Sequence, residues 1–335
     1  MKERAPGMVD VARLAGVSHV TVSRVVNGHP SVSADTRARV EAAIAELGYR
    51  RNSMARALKS GSSSTIGVVI AGSELYELPR LLLGLETAAR RAGYWVSLAS
   101  WMDGAGDLAE TVQRLADQSV EAVAVVADRP VAVDALATIT SRIPLSVVMS
   151  GDVPNPRVAS VEVDQDLGAR LVVRHLAGLG HREIVHLSGA LRTWDARARV
   201  EGWRAELEAT PGLSGDLLEG DFTAESGYRL AHELVSRPGG PPGAVFAGND
   251  QMAMGVLAAF AERGVSVPGD VSLVGFDDQV GSGYLVPALT TVRQDFAALG
   301  EAAIESLLAA LRGDVVGHRK LEPELVVRRS TAPPR

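Results

Sequence analysis

The chain has 335 residues, 46% hydrophobic and 22% charged, an ordinary composition for a soluble globular protein and enough length for two or three domains. It contains no cysteine, which excludes disulfides, thiolate metal sites and cysteine nucleophiles together. The net charge of −6 hides an asymmetry: residues 1–60 hold ten Lys/Arg against five Asp/Glu, leaving 24 against 35 elsewhere, so a basic head fit to meet a polyanion precedes an acidic body.

Three short helical patterns fill the head. Asp10 to Ala15 places Val11, Leu14 and Ala15 at helical spacing, and Gly16-Val17 breaks the pattern. Ser18 is an N-cap for a second helix running to Val26, ended by Asn27-Gly28. Ser33 caps a third, with Val40, Ala43, Ile44 and Leu47 on one face and Gly48 at its C′ position. A short segment, Asn52 to Ser60, leads into Gly61-Ser62-Ser63-Ser64, flexible by composition.

Beyond residue 64 apolar β-type runs alternate with helical stretches. The runs are Ile66 to Ala71, Val96 to Ser100, Ala122 to Ala127, Ser146 to Met149, Ile184 to Ser188, Val245 to Ala247 and Ser272 to Phe276. Such alternation predicts parallel sheets covered by helices. About 270 residues exceed one doubly wound sheet, and the pattern restarts near Ser160 to Asp164, so two similar lobes with a cleft between them are expected. Leu289 to Asp295 reads as a crossover back to the first lobe, with Phe296 to Leu311 as its helix.

The first two helices have the helix-turn-helix layout, in which the second lies in the major groove of DNA. Val22, Val25 and Val26 face inward, which turns His19, Val20, Ser23, Arg24 and Asn27 outward. Arg24 has the geometry to pair with guanine O6 and N7, and Val20 to meet a thymine methyl. Layout alone fits a ligand-free helical hairpin as well.

The residues themselves are more specific. Asp10-Val11-Ala12-Arg13-Leu14-Ala15-Gly16-Val17-Ser18, then Thr21-Val22-Ser23-Arg24-Val25-Val26-Asn27, resembles the DNA-binding head of the lactose-repressor (LacI/GalR) family, and Leu47-Gly48-Tyr49 continues the likeness. The resemblance places the family's base-reading pair on His19 and Val20 and its third reader on Arg24, within a DNA-contact set of Ser18, His19, Val20, Thr21, Ser23, Arg24 and Asn27. The next segment is similar to the family's hinge helix, with Asn52, Ala55 and Leu58 on matching positions. So short a helix is marginal in water and is expected to fold on DNA, where the resemblance implies that Leu58 wedges into the minor groove. Two departures are visible: Arg50-Arg51 replaces the usual Pro before the hinge Asn, and Gly7 stands where the family has a Ser/Thr cap.

The likeness continues through Val163-Asp164-Gln165, Phe246-Ala247-Gly248-Asn249-Asp250, Val274-Gly275-Phe276-Asp277-Asp278 and Leu289 to Asp295. It implies an all-α helix-turn-helix head plus an α/β two-lobed, periplasmic-binding-protein-like effector domain with parallel, doubly wound sheets. The expected boundaries are 1–50 for the head, 51–64 for hinge and linker, and 65–335 for the effector and dimerisation domain. Lobe one is expected at about 65–159 plus 290–318, and lobe two at about 160–289 plus 319–330.

By position the resemblance implies Arg199, Asn249 and Asp277 as polar effector anchors, surrounded by Phe222, Gln294 and Phe296. A carboxylate, a guanidinium, an amide and an aromatic face together suit a carbohydrate. Tyr76, or Trp194 in the loop before Arg199, could stack on a sugar or on a purine, so a purine corepressor stays open beside the sugar, with Met149 and Trp194-Asp195 as departures from sugar-binding members.

An enzyme reading finds no support: GxxxxGK[ST], HExxH and GxSxG are absent, and the lone Gly104-x-Gly106-x-x-Ala109 is flanked by Asp103 and Asp107, which would repel a pyrophosphate. No catalytic residue, cofactor or metal site is expected. His181 and His186 read as a turn cap and a sheet-face filler, and Arg90-Arg91 as a solvated helix face. A sugar-binding receptor module without DNA activity is the other rival, opposed by the basic head and by the lack of a signal peptide or of any run of about 18 apolar residues. The reading is therefore a cytoplasmic repressor with no membrane partner, a homodimer on a pseudo-palindromic operator, controlled by a small molecule. The chain stops soon after its last predicted strand, without a C-terminal heptad helix, so a dimer is expected rather than a tetramer.

Overall fold

The computed structural model describes residues 6–49, 62–71, 78–101, 108–127, 143–148, 155 and 158–335. Asn52, Ala55, Leu58, Tyr76 and Met149 lie outside the described residues. The chain divides into two compact units, Met1–Ser63 and Ser64–Arg335.

In the first unit α1 (Met8–Ala15), α2 (His19–Val26) and α3 (Ala34–Leu47) pack around Val11, Ala15, Val22, Val25, Val40 and Ala43. Helix α1 starts two residues before the predicted Asp10. The side chain of Asp10 accepts the Gly7 N–H at 2.8 Å, a bond that serves the helix entry although Gly7 offers no capping side chain. Ser18 Oγ accepts the Thr21 N–H at 3.1 Å and starts α2. Gly16 and Gly48 end α1 and α3 at φ of 64° and 60°, the left-handed region where a Cβ is costly.

In the second unit a six-stranded parallel sheet has the order β11-β5-β4-β3-β1-β2. Its strands are β1 (Thr65–Ala71), β2 (Trp95–Trp101), β3 (Ala122–Ala127), β4 (Leu145–Val148), β5 (Val158–Val163) and β11 (His318–Leu321). Successive side chains of a strand point to opposite faces, so Val69 and Val125 join one core with α5 (Leu108–Asp117), while Val68 and Ala124 join another with α4 (Leu78–Arg91) and α10 (Phe296–Leu311). A four-stranded parallel sheet, β7-β6-β8-β9, builds the second lobe from β6 (Ile184–Ser188), β7 (Leu217–Glu219), β8 (Ala244–Ala247) and β9 (Ser272–Val274). Helices α6 (Gln165–Gly178), α7 (Trp194–Ala209), α8 (Ala224–Val235) and α9 (Asp250–Glu262) enclose it.

One boundary differs from expectation. The predicted border at 159/160 runs through β5, which pairs along its length with β4 and β11, so the first lobe reaches Val163 and takes in residues 318–321. An apolar run does not reveal which sheet it joins; the hydrogen-bond partners do. Residues 290–293 bridge to the ends of the second lobe's strands, Val274 to Thr290 and Asp277 to Arg293, and β10 (Thr291–Arg293) pairs antiparallel with β12 (Glu324–Val326) in a small sheet of its own. The chain thus passes between lobes at β5–α6, at β10–α10 and at β11–β12.

Candidate functional site

On α2 Val22 and Val25 are buried, and His19, Val20, Arg24 and Asn27 are exposed, Val20 at 58%. Ser23 and Thr21 are half-buried. An imidazole, an isopropyl group and a guanidinium therefore project from the first turn and a half of this helix, the part that meets base edges in a helix-turn-helix. Asn27 is placed differently: its amide donates to Ser23 O at 2.7 Å and to Ser23 Oγ at 3.3 Å, so it closes the helix. Ser18 and Thr21 join in the cap, their hydroxyls 2.9 Å apart.

In the second unit, the three predicted anchors Arg199, Asn249 and Asp277, together with Gln294, lie at the carboxyl side of the strands and on the helices that follow them, where open α/β sheets bind ligands. Arg199, on α7, is 3% exposed. Its Nε donates to Gln165 Oε1 at 2.9 Å, one terminal nitrogen donates to Gly248 O, and the other lies 3.6 Å from Asp277 Oδ1 and 3.8 Å from Asp195 Oδ2. The guanidinium stands 3.8 Å from the centre of the Phe276 ring and 5.6 Å from that of Phe222, two cation–π contacts in a site shielded from water. Gln294 Nε2 donates to Asp277 Oδ1 at 2.8 Å, and Gln165 Nε2 donates to Gln294 Oε1 at 2.8 Å. A closed polar network thus runs Arg199, Gln165, Gln294, Asp277.

Asn249 caps α9, its Oδ1 accepting the Met252 N–H at 2.8 Å while its Nδ2 donates to Phe222 O at 3.1 Å. Phe222 has φ of +70°, and its ring covers Gly189 so closely that a Cβ there would stand 2.0 Å from it. Asp277 and Asp278 both have positive φ, 105° and 49°. Two successive non-glycine residues in the left-handed half of the map are strained, and the strain aims their side chains apart. Asp277 faces Arg199, while Asp278 accepts from Arg293 Nε at 2.7 Å and from an Arg328 terminal nitrogen at 2.6 Å. Burial alone would raise the Asp278 carboxyl, but its bonds to Arg328 and Arg293 hold it below the ordinary value.

The remaining predicted residues are placed apart from this network or outside the described residues. The Phe296 ring packs on the first lobe's core with Arg80 5.4 Å above it. Gln165, central to the network, was not among the predicted anchors; its signal is its place as the first helical residue after the Asp164 cap, at a strand's carboxyl end. Beneath the site His186 is fully buried, its Nδ1–H donating to Phe246 O at 3.0 Å, and burial lowers its pKa to about 3. Asp250, beside Asn249, is pushed up to about 6 by burial, although it accepts from Thr291 Oγ1 at 2.6 Å, from the Gln279 N–H at 2.9 Å and from Ser282 Oγ. Among the described residues no helix is long and apolar enough to cross a membrane and no group of three or more His, Asp or Glu is placed to hold a metal.

Two family models match the chain: bacterial regulatory proteins of the lacI family over residues 7–52, and a periplasmic binding protein-like domain over residues 173–331. The lactose operon repressor of Escherichia coli (strain K12) is 36% identical over 328 residues, covering 97% of this chain and 90% of that protein. The HTH-type transcriptional repressor PurR of Glaesserella parasuis serovar 5 (strain SH0165) is 33% identical over 332 residues, covering 96% and 97%. Among solved structures, the lac repressor dimer bound to operator and the anti-inducer ONPF aligns with a TM-score of 0.86 at 34% identity, over 98% of this chain and 100% of that one. A complex of the transcriptional regulator CelR with cellobiose aligns at 0.70 and 30%, over 97% and 99%.

Proposed function

The chain belongs to the lacI family of bacterial regulatory proteins, DNA-binding transcriptional repressors with an effector domain, and from that membership we propose that it represses as a homodimer on a pseudo-palindromic operator and answers to an uncharged carbohydrate. Each α2 occupies a major-groove half-site, with His19, Val20 and Arg24 reading bases, and the segment holding Asn52, Ala55 and Leu58 bridges the half-sites in the minor groove. The protein works in the cytoplasm, where duplex DNA is.

The buried Arg199 network is the observation that carries the effector reading. Asp277 and Asp195 both lie within 4 Å of the Arg199 guanidinium, so two carboxylates border the site and disfavour a phosphorylated or carboxylate effector. What remains is a set of polar side chains beside the Phe222 ring, whose protein partners an effector's hydroxyls exchange for their own. The likeness to a cellobiose-bound regulator supports a sugar; the likeness to PurR makes purine bases the comparison arm of any screen.

Gln165 and Gln294 stand where the chain passes between lobes, so an effector that reorders this network changes the relative pose of the lobes and with it the spacing of the paired hinges. A ligand preferring hinges apart induces, and one preferring hinges together corepresses.

The test is selection of operators from random duplex with the full-length protein, followed by release or tightening on adding sugars. Enrichment of a two-fold-related site is expected, and absence of any preference over random duplex would overturn the proposal. Asp277→Ala is expected to bind the selected operator and ignore the sugar, while Leu58→Gly weakens operator binding and keeps sugar affinity. Loss of both functions in either folded variant contradicts this division of labour.

A further inference from the structure

We propose that Trp194 is a specificity-determining residue of the effector site, donating its indole N–H to an acceptor atom of an uncharged effector held between the lobes. The inference rests on the effector reading above and adds a contact from a position where this chain departs from sugar-binding members.

Trp194 opens α7, the helix that carries Arg199, and the next residue, Asp195, reaches toward the Arg199 guanidinium at 3.8 Å. Its half-buried ring packs on the first lobe's cluster, built around β1, β3 and α5. One residue thus joins the helix that carries Arg199 in one lobe to the core of the other.

The indole nitrogen is buried without a hydrogen-bond partner. Burial of an unused donor is costly, and a tryptophan kept only for packing usually satisfies its N–H. The buried Trp203 of the second lobe does so, its Nε1 donating to Ile184 O at 3.1 Å. Among the described residues the other two orphaned side-chain atoms lie within sheets: Ser146 Oγ on fully buried β4, and His186 Nε2 on β6, its ring stacked on Phe246. Trp194 alone of the three bridges the lobes.

The nearby donors are already engaged with protein acceptors, Arg199 with Gln165 and Gly248, Gln294 with Asp277, and Asn249 with Phe222. A hydroxyl, ring oxygen or carbonyl arriving between the lobes therefore gains most by accepting from Trp194. This contact forms only when both lobes surround the effector, so it couples recognition to lobe pose.

The experiment compares full-length wild type with Trp194→Phe, which keeps the ring contact and removes the donor. Lactose, cellobiose, galactose, glucose 6-phosphate, guanine and hypoxanthine are screened by thermal shift, and binders are titrated calorimetrically. The expected result is that an uncharged sugar binds wild type, glucose 6-phosphate does not, and Trp194→Phe binds that sugar at least tenfold more weakly while melting, unliganded, at or above the wild-type temperature. Affinity unchanged within twofold overturns the proposal and leaves the sugar reading standing, and a lower unliganded melting temperature overturns it by indicating that the N–H already serves the fold. Binding of a purine alone, weakened tenfold in Trp194→Phe, overturns the sugar reading and keeps the Trp194 contact. Failure of every compound to shift wild type overturns both.

Discussion

His186 and Asp250 lie in the same lobe and respond to acid in opposite directions. The His186 imidazole stacks on Phe246 with centroids 4.2 Å apart, and burial lowers its pKa from 6.5 to about 3. The unfolded chain therefore takes up this proton first, so stability present above pH 6.5 is lost as pH falls toward 3, to the extent of about 5 kcal/mol if this group acted alone. Asp250 is raised from 3.8 to about 6, so the folded chain takes up its proton first, and stability is gained as pH falls from 6 to 4 by about 3 kcal/mol. Denaturant titrations from pH 7.5 to 3.5 are expected to show His186→Phe losing less stability than wild type on acidification and Asp250→Asn losing more. Parallel profiles for all three proteins would contradict both assignments. Arg199, Asn249, Asp277 and Gln294, named from the family resemblance as effector contacts, are brought into one region by the fold. Gln165 is not legible in the sequence, since a glutamine at the start of a helix looks solvated until Arg199 and Gln294 are seen on either side of it.

Caps and glycines made the head readable at the scale of elements. Ser18 and Ser33 each accept a backbone N–H three residues on, and Gly16 and Gly48 each take the left-handed conformation, so helices α2 and α3 begin where predicted. Ser33→Ala is expected to lower the head's stability by about 1 kcal/mol, read as an earlier first transition in thermal unfolding of the full-length protein. A small domain with one modest core feels such a loss. An unchanged first transition would mean that the 3.4 Å contact to the Thr36 N–H contributes nothing. The long apolar strands were equally legible, but β7, β10 and β12 have three residues each, too few for a period, and β11, His-Arg-Lys-Leu, is polar at three of its four positions. An edge strand is held by backbone hydrogen bonds to its one neighbour and need not bury side chains, so hydropathy carries no trace of it.

For the molecule as a whole, the pair Asp277-Asp278 joins the candidate site around Arg199 to the segments that pass between lobes. Asp277 serves the Arg199 network, whereas Asp278 holds Arg293 on β10 and Arg328 beyond β12, and Arg80 on α4 of the first lobe approaches Asp278 O at 3.5 Å. Asp278→Ala is expected to leave sugar affinity within about threefold of wild type yet remove most of the 5- to 150-fold change in operator affinity typical of such coupling. Fluorescence anisotropy on the selected operator, with and without sugar, measures this. A normal response in the variant would place the coupling elsewhere.

The order in which the sheets are completed sets a constraint on synthesis. The outermost strand of the first lobe, His318–Leu321, pairs with Val158–Val163 but leaves the ribosome only after every strand of the other lobe's sheet. Domains tend to mature from the N-terminus during translation, yet here the earlier lobe's sheet keeps an open edge until after the four strands of the later lobe's sheet have emerged. Nascent chains stalled before residue 318 therefore keep the Val158–Val163 edge unpaired on that side, a template for neighbouring chains on the same polysome.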